Sequence, residues 1–458
     1  MAAQNDPLGR LTAGYSKART ILLIAASAGG VAALAWRHAT ELTGRDDQYA
    51  SIWAGLSVVM IAILLLAWLD RPKKAASARA RELGMLRVTV NVPVYNEDPE
   101  ALRLVARALA RQTRPPQRVE FVDDGSDKFS YDDVRDDLVL LGLEYPDIEF
   151  RWVRTERTPD SGKRAAQAVT FRGDPQADVF ATIDSDTVLE SRAIEEGLKP
   201  FADPRVQSVA AILLVFNAGR NLLTGLTEIW LAVYQLGVRA AWSRLGCVLV
   251  NSGGLAFYRA GVVRDALPAY LGETFAGRKV SYSDDAMLTF FALLRGRTVQ
   301  QPTCFAFTIM PEKTSHHVRQ QLRWMRGNVI RTFWWFRYLS PLRLGWWLGF
   351  IAWTTFTITT GLMLTLFVIG PALSGHLPAA PSWPVIAGLS YLASLRALLV
   401  KRGDQRTLSR LAAFAASPLI TIWCMTVLRV LRLWSLVTCL NSGWGTRTKV
   451  EVTVGGTS

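Results

Sequence analysis

Cysteine and histidine are scarce in this chain, four of each in 458 residues. Cys247, Cys304, Cys424 and Cys439 have no metal-ligand spacing, and only His316 and His317 lie close together. No disulfide framework or zinc site is thereby indicated. Charge is sparse as well: 20% of residues are charged against 50% hydrophobic, too apolar a balance for a purely soluble chain of this length. Acidic residues number 38 against 52 Lys and Arg, a net charge of +14. The basic residues cluster beside apolar runs rather than along one soluble face, which argues against a nucleic-acid partner and for a lipid bilayer carrying anionic headgroups.

What the chain has instead is long uncharged runs, at 21–36, 48–69, 344–375, 377–395 and 411–428. Most reach the roughly 17 to 25 residues that a spanning helix needs. The first is short enough for a signal-peptide core, but the next run follows closely and no small-residue cleavage site separates them, so two retained N-terminal helices are expected. Arg71, Lys73, Lys74, Arg79 and Arg81 crowd the end of the second run and place that side in the cytoplasm. The loop 371–384 carries no Lys or Arg and is expected to face out; Arg396, Lys401, Arg402, Arg406 and Arg410 are expected to face in. If 411–428 spans fully, Arg429, Arg432, Arg447 and Lys449 land outside, against the same rule. Pro418 sits mid-segment and would break it into a re-entrant or paired shape, leaving a cytoplasmic C-terminus.

From Arg87 to about Thr308 the pattern alternates. Val88–Val94 is rich in β-formers, 99–112 reads as a helix, and 119–122, 148–153 and Val179–Ile183 read as further strands. This βαβ rhythm predicts an α/β domain with a mainly parallel sheet. Ligands of such sheets bind beyond the carboxyl ends of the strands, and the polar motifs sit there. Pro93, Tyr95 and Glu97 close the first strand, Asp123-Asp124-Gly125 the second, and Asp184-Ser185-Asp186 the one at Val179–Ile183. Asp124-Gly125 also suits a plain turn. Asp184 and Asp186, two carboxylates at i and i+2, would repel unless paired, so a divalent cation bridging to substrate phosphates accounts for both; a helix cap before Val188 is the alternative. Lys163 and Arg164 follow Gly162 and could meet diphosphate oxygens or form a solvated loop. Asp284 and Asp285 precede a helical run 286–294, either as favourable charges at a helix N-terminus or with one of them as a general base.

Gln320-Gln321-Leu322-Arg323-Trp324 puts Gln320, Arg323 and Trp324 on one helical face. An Arg fork suits a pyrophosphate, and an indole suits the apolar side of a sugar ring; the alternative is a basic aromatic anchor at the bilayer interface. The stretch 222–242 has Glu228 as its only charge before Arg239 and reads as an amphipathic interfacial helix.

Taken in order, Asp123-Asp124, Lys163, Asp184-Ser185-Asp186, Asp285 and Gln320-Gln321-Leu322-Arg323-Trp324 resemble the motif set of processive family-2 glycosyltransferases over about 88–324. The resemblance implies a GT-A type cytosolic domain combined with membrane helices, an inverting displacement, UDP-sugar donors, a growing polysaccharide as partner, and Mg²⁺ or Mn²⁺. It implies that Asp123 and Asp124 hold the uridine, with Pro93, Tyr95 and Glu97 beside them, and that Lys163, Arg164, Gln320 and Gln321 approach the donor. Asp184 and Asp186 would bind the metal and Asp285 would be the base, with Asp284 beside it as an acceptor contact. Arg323 would stabilise departing UDP and Trp324 would stack on the acceptor. Ser252, Gly253 and Gly254 correspond to an acceptor-side segment, although Asn251-Ser252-Gly253-Gly254 departs from the commoner Ser-Gly-Pro version.

The implied organisation is two membrane helices at 1–70, the catalytic domain at 71–315, an interfacial helix at 316–343, membrane helices at 344–428 and a cytosolic tail at 429–458, in a multi-pass plasma-membrane protein. Trp444-Gly445-Thr446-Arg447 in the tail resembles an element of hyaluronan synthases, where Trp444 and Arg447 would lie near the nucleotide. Hyaluronan synthesis is therefore the leading expectation. Synthesis of a chitin-type polymer from UDP-GlcNAc alone and a catalytically silent scaffold or export channel are the alternatives.

Overall fold

A computed structural model describes residues 7–42, 50–158, 161–375 and 382–441. Two N-terminal helices, α1 (Lys17–Leu42) and α2 (Ala50–Leu69), precede an eight-stranded sheet. Its strands are β1 (Val88–Val94), β2 (Arg118–Asp123), β3 (Glu149–Arg154), β4 (Val179–Ile183), β5 (Thr187–Leu189), β6 (Val206–Val215), β7 (Leu255–Arg259) and β8 (Arg297–Thr308), in the spatial order β3-β2-β1-β4-β7-β6-β8-β5. The expected strands fall where the β-formers cluster. The first four in space are parallel, whereas β7 runs antiparallel to both neighbours and β5 antiparallel to β8, so the parallel half continues into a mixed half.

β1 is buried along its whole length. Val88, Val90, Val92 and Val94 enter the main core, each contributing on the order of 1.5–3 kcal/mol by burial. The alternate residues Thr89 and Asn91 are polar and hydrogen-bonded: Thr89 donates to Asp174 Oδ2 at 2.6 Å and Asn91 Nδ2 to Thr170 Oγ1 at 2.5 Å. Asp174 and Thr170 belong to or follow α3 (Lys163–Gly173), which these bonds fix against the sheet.

Helices α4 (Leu222–Val233), α5 (Asp284–Arg295) and α6 (Thr314–Tyr338) follow in the chain. Glu228 of α4 accepts from Val215 N–H at 2.6 Å and from Arg402 at 2.7 Å. The side chain of Arg402 is fully buried, and it also donates to Val215 O at 2.9 Å. Its strand, Val400–Arg402, pairs with Ala13–Tyr15. One guanidinium thus joins α4, the end of β6 and the segment between the C-terminal helices.

Among the described residues three helical runs are long and apolar enough to cross a membrane: Lys17–Arg37, α7 (Leu344–Leu364) and Ser417–Thr438. Ala54–Leu69 and Ile386–Leu399 are shorter apolar helices. The expected break at Pro418 is present: one helix ends at Ala415, α8 (Ser417–Met425) begins with Pro418 in its first turn, and α9 (Val427–Thr438) follows a second break at Thr426. The helical run therefore continues past Leu428 and carries Arg429 and Arg432. Trp444 and Arg447 lie outside the described residues.

Candidate active site

Strand register brings the motifs together. Val94 of β1 pairs with Asp123 of β2, so Tyr95 and Asp124 emerge side by side. β4 runs parallel to β1 and ends at Ile183, which pairs with Leu255, the first residue of antiparallel β7. Gly253 and Gly254 therefore meet Asp184 at the same sheet edge, a juxtaposition that only the antiparallel strand produces.

A cleft of about 390 Å³ opens there, lined by the expected Pro93, Tyr95, Asp124, Lys163 and Asp184. Residues that sequence reasoning missed complete it, among them Asn96, Asp127, Lys128 and Arg157. Arg157 lies over the Tyr95 ring at 3.9 Å and 3.2 Å from Asp124 Oδ2. This stacked pair is a flat wall suited to a planar base. The only sequence signal for Arg157 is its place in the loop before Gly162. Burial raises the Asp124 carboxyl above its ordinary value, with a Gly162 N–H bond and Arg157 opposing.

Deeper in the cleft the charges converge on Gly253. A Cβ there would lie 3.3 Å from Asp184 Oδ2, 3.5 Å from Lys163 Nζ and 3.6 Å from Asp285 Oδ2, so a bare backbone keeps the space between them open. Lys163 Nζ bridges Asp184 Oδ1 at 2.6 Å and Asp284 Oδ2 at 2.9 Å. Burial disfavours the Lys163 ammonium, yet the surrounding carboxylates outweigh it and raise its pKa. Burial alone would also lift Asp284, but Lys163 and Arg164 hold it below the usual range. Asp285 behaves oppositely: burial and the adjacent Asp284 charge push its carboxyl well above that range. Two neighbouring carboxyls with diverging pKa values are the pattern of a counter-ion beside a proton acceptor.

α6 approaches this centre closely. A Cβ on Gly327 would lie 2.6 Å from Cβ of Ser283, so Gly327 lets the helix touch the turn that presents Asp284 and Asp285. Ser283 itself adopts φ 61 as the N-terminal flank of α5. Trp324 is 38% exposed and stacks on Trp230 of α4, with centroids 6.1 Å apart and planes 9° from parallel. Gln320 Oε1 and Gln321 Nε2 are buried with no hydrogen-bond partner among the described residues, polar capacity that a ligand would satisfy.

Several expected contacts are relocated. Arg164 turns inward, donating to Tyr270 O at 2.9 Å and Tyr282 O at 2.8 Å and pairing with Glu273 at 2.8 Å. Adjacent helical residues project about 100° apart, so Lys163 faces the cleft and Arg164 cannot. Asp284 is the counter-ion of Lys163 rather than an exposed acceptor contact. Asp123 lies beneath the cleft, 1% exposed, where its Oδ1 accepts from Ser126 N–H at 2.9 Å and shapes the turn. Glu97 accepts from Ser185 Oγ at 2.7 Å, bracing the residue between Asp184 and Asp186. Ser252 accepts from the buried Arg239 at 2.7 Å. Gly254 packs on Leu213 and Thr187, a close-packing role.

No cluster of three or more His, Cys, Asp or Glu side chains that could hold a metal occurs among the described residues. Asp184 and Asp186 alone still fit Mg²⁺ or Mn²⁺, which bind through one or two carboxylates plus substrate phosphates, and the space kept open by Gly253 lies against Asp184.

Comparison with known proteins places these residues in a wider set. Residues 86–327 match the description "Glycosyltransferase like family 2". A hyaluronan synthase of Streptococcus pyogenes is 36% identical over 376 residues, 80% of this chain and 84% of that protein. An N-acetylglucosaminyltransferase of Azorhizobium caulinodans is 31% identical over 79% of this chain and 87% of its own length, and one of Sinorhizobium fredii is 30% identical over 89% and 95%. Among solved structures, a mannosyltransferase of Pyrobaculum calidifontis in complex with GDP-Man and Mn²⁺ superposes with a TM-score of 0.52 at 19% identity, covering 84% of this chain and 98% of that one. That likeness is one of fold.

Proposed function

The chain belongs to the family-2 glycosyltransferases and is a UDP-sugar-dependent enzyme like the hyaluronan synthases, and from that premise we propose that it polymerises hyaluronan from UDP-GlcNAc and UDP-glucuronic acid and passes the product through the plasma membrane. The observation that carries the reading is the convergence at Gly253 of Asp184, Lys163 and Asp285 beside the Tyr95–Arg157 wall. Greater identity and coverage-matched similarity to the streptococcal synthase than to the Azorhizobium transferase favours hyaluronan over a polymer of GlcNAc alone.

Uracil packs on Tyr95 and Arg157, with Asp124 accepting from its polar edge. Lys163 neutralises diphosphate oxygens, balanced by Asp284. Asp184 and Asp186 would hold a divalent cation, which when bound would supply Lewis-acid neutralisation of the diphosphate. Asp285 takes the proton of the acceptor hydroxyl as that oxygen attacks the anomeric carbon and the bond to UDP breaks, with inversion because no nucleophilic side chain intervenes. Arg323 stabilises the departing UDP, and Trp324, backed by Trp230, carries the acceptor sugar. The catalytic domain faces the cytoplasm, where the donors are, and the apolar helices form a multi-pass anchor.

Purified protein given each labelled donor separately and then both, with Mg²⁺ or Mn²⁺, tests this. Polymer that requires both donors and is cleaved by hyaluronidase is expected; polymer from UDP-GlcNAc alone would establish the chitin-type reaction instead. Chelation with EDTA is expected to stop UDP release, and added Mg²⁺ or Mn²⁺ to restore it.

A further inference from the structure

Arg429 and Arg432 lie one turn apart on α9, inside the apolar run Ser417–Thr438. Their guanidiniums face α7. Arg429 lies 4.6 Å from the Phe356 ring centroid and donates to Phe356 O and Thr360 Oγ1, each at 3.2 Å. Arg432 lies 5.4 Å from Phe356 and 5.7 Å from Trp353. Phe356 and Thr360 stand about 18 and 24 Å along α7 from its start at 1.5 Å per residue, the first near the middle of a hydrocarbon core of about 30 Å and the second in its far half. No carboxylate among the described residues pairs with either arginine, and Arg429 Nε is buried with no partner. Isolated cations at such depth are costly and mark function; two like charges at i and i+3 add repulsion.

The other end of α9 touches the catalytic turn. Tyr282, two residues before Asp284, donates through its hydroxyl to Cys439 O, and Arg326 donates to Thr438 Oγ1 at 3.1 Å. Arg432 reaches Met325 O at 3.4 Å, next to Trp324. α9 therefore runs from the catalytic turn past the Trp324 segment into the apolar layer, with Arg432 first and Arg429 beyond it.

We infer that Arg432 and Arg429 are successive binding stations for the carboxylates of an acidic polysaccharide leaving the active site. This rests on the proposed polymer synthesis and deepens it, because a neutral polymer would leave both guanidiniums without an anion. A desolvated Arg fork matches a carboxylate in geometry as well as charge, and two stations in sequence hold the chain while the next sugar is added. A lipid phosphate offers the same charge, but Arg432, at Trp353 and Phe356, lies mid-depth and away from the headgroups.

The test uses full-length protein in nanodiscs of purely zwitterionic or partly anionic lipid. Binding of a hyaluronan oligosaccharide is compared with that of an uncharged chitooligosaccharide of equal length, in wild type, Arg429→Gln, Arg432→Gln and the double variant, with UDP affinity as the folding control. Wild type is expected to prefer the acidic oligosaccharide, and the double variant to lose about tenfold of that preference, the scale of a lost charge-assisted hydrogen bond. Arg432→Lys is expected to keep part of it, and polymer made by the double variant to be several-fold shorter. An unchanged preference in the double variant, or no preference in wild type, overturns the inference. A preference that depends on anionic lipid assigns the pair to headgroups and also overturns it. The binding arm needs no turnover, so a wild type that makes polymer from UDP-GlcNAc alone refutes the hyaluronan reading separately.

Discussion

Asp285 must be ionised to accept a proton, and burial together with Asp284 raises its carboxyl. Activity is therefore expected to climb as pH rises through that elevated value and to fall on acidification while ordinary carboxylates are still charged; a kcat/KM profile whose acid limb sits at the usual carboxylate range would remove Asp285 from this role. Asp285→Asn is expected to lower kcat by about 10²–10⁴-fold, the contribution of a general base, with UDP binding retained in a titration. At this scale the sequence was readable where a motif exposes its residue, as with Asp124 and Asp184 after strand ends. It misled where a helix separates neighbours: nothing in Lys163-Arg164 says which one turns inward, because that depends on the buried carboxylate Glu273, more than a hundred positions away. Arg157 was illegible for a related reason, since its value comes from lying over Tyr95 and not from any local pattern.

Elements position the site through a few tight contacts, and these are the places to break it. Gly327→Ala would drive a methyl into Ser283 at a cost of about 1–3 kcal/mol, so a modest drop in Tm is expected together with a larger loss of transfer than of UDP binding; equal losses would show that α6 does not set the catalytic turn. Glu273 accepts from Arg331 and from Trp334 Nε1 at 2.8 Å, and it pairs with Arg164, tying α6 to the base of α3. Glu273→Gln leaves two buried cations undercompensated, and a destabilisation of about 3–5 kcal/mol is expected by thermal unfolding. β1 to β4 were legible because each is a short run in which β-formers cluster or alternate with polar residues, as Phe150 and Trp152 do in β3. The reversal of β7 was not, because an apolar strand reads the same in either direction; yet that reversal delivers Gly253 to Asp184. The break before α8 was announced by Pro418, whereas the continuation of α9 was hidden by Arg429 and Arg432, which read as the end of a membrane segment.

For the molecule as a whole, apolar helices flank the sheet domain on both sides in the chain. Alkaline carbonate washing is expected to leave the protein in the membrane fraction, and added protease should cut 87–308 in inverted vesicles but not in sealed cells; the reverse pattern would place the site outside. The basic cluster after α2 is the sequence signal behind the expected orientation, but nothing in the sequence announced how the two parts are joined. Arg402 supplies that joint, fastening α4, the end of β6 and the C-terminal helices around one buried guanidinium. With that many parts pinned at one point, the sheet has little freedom to rock against the apolar helices. On the proposed polymer synthesis, the enzyme would work as a stator: each added sugar would advance the product by the length of a residue while the protein frame stays still.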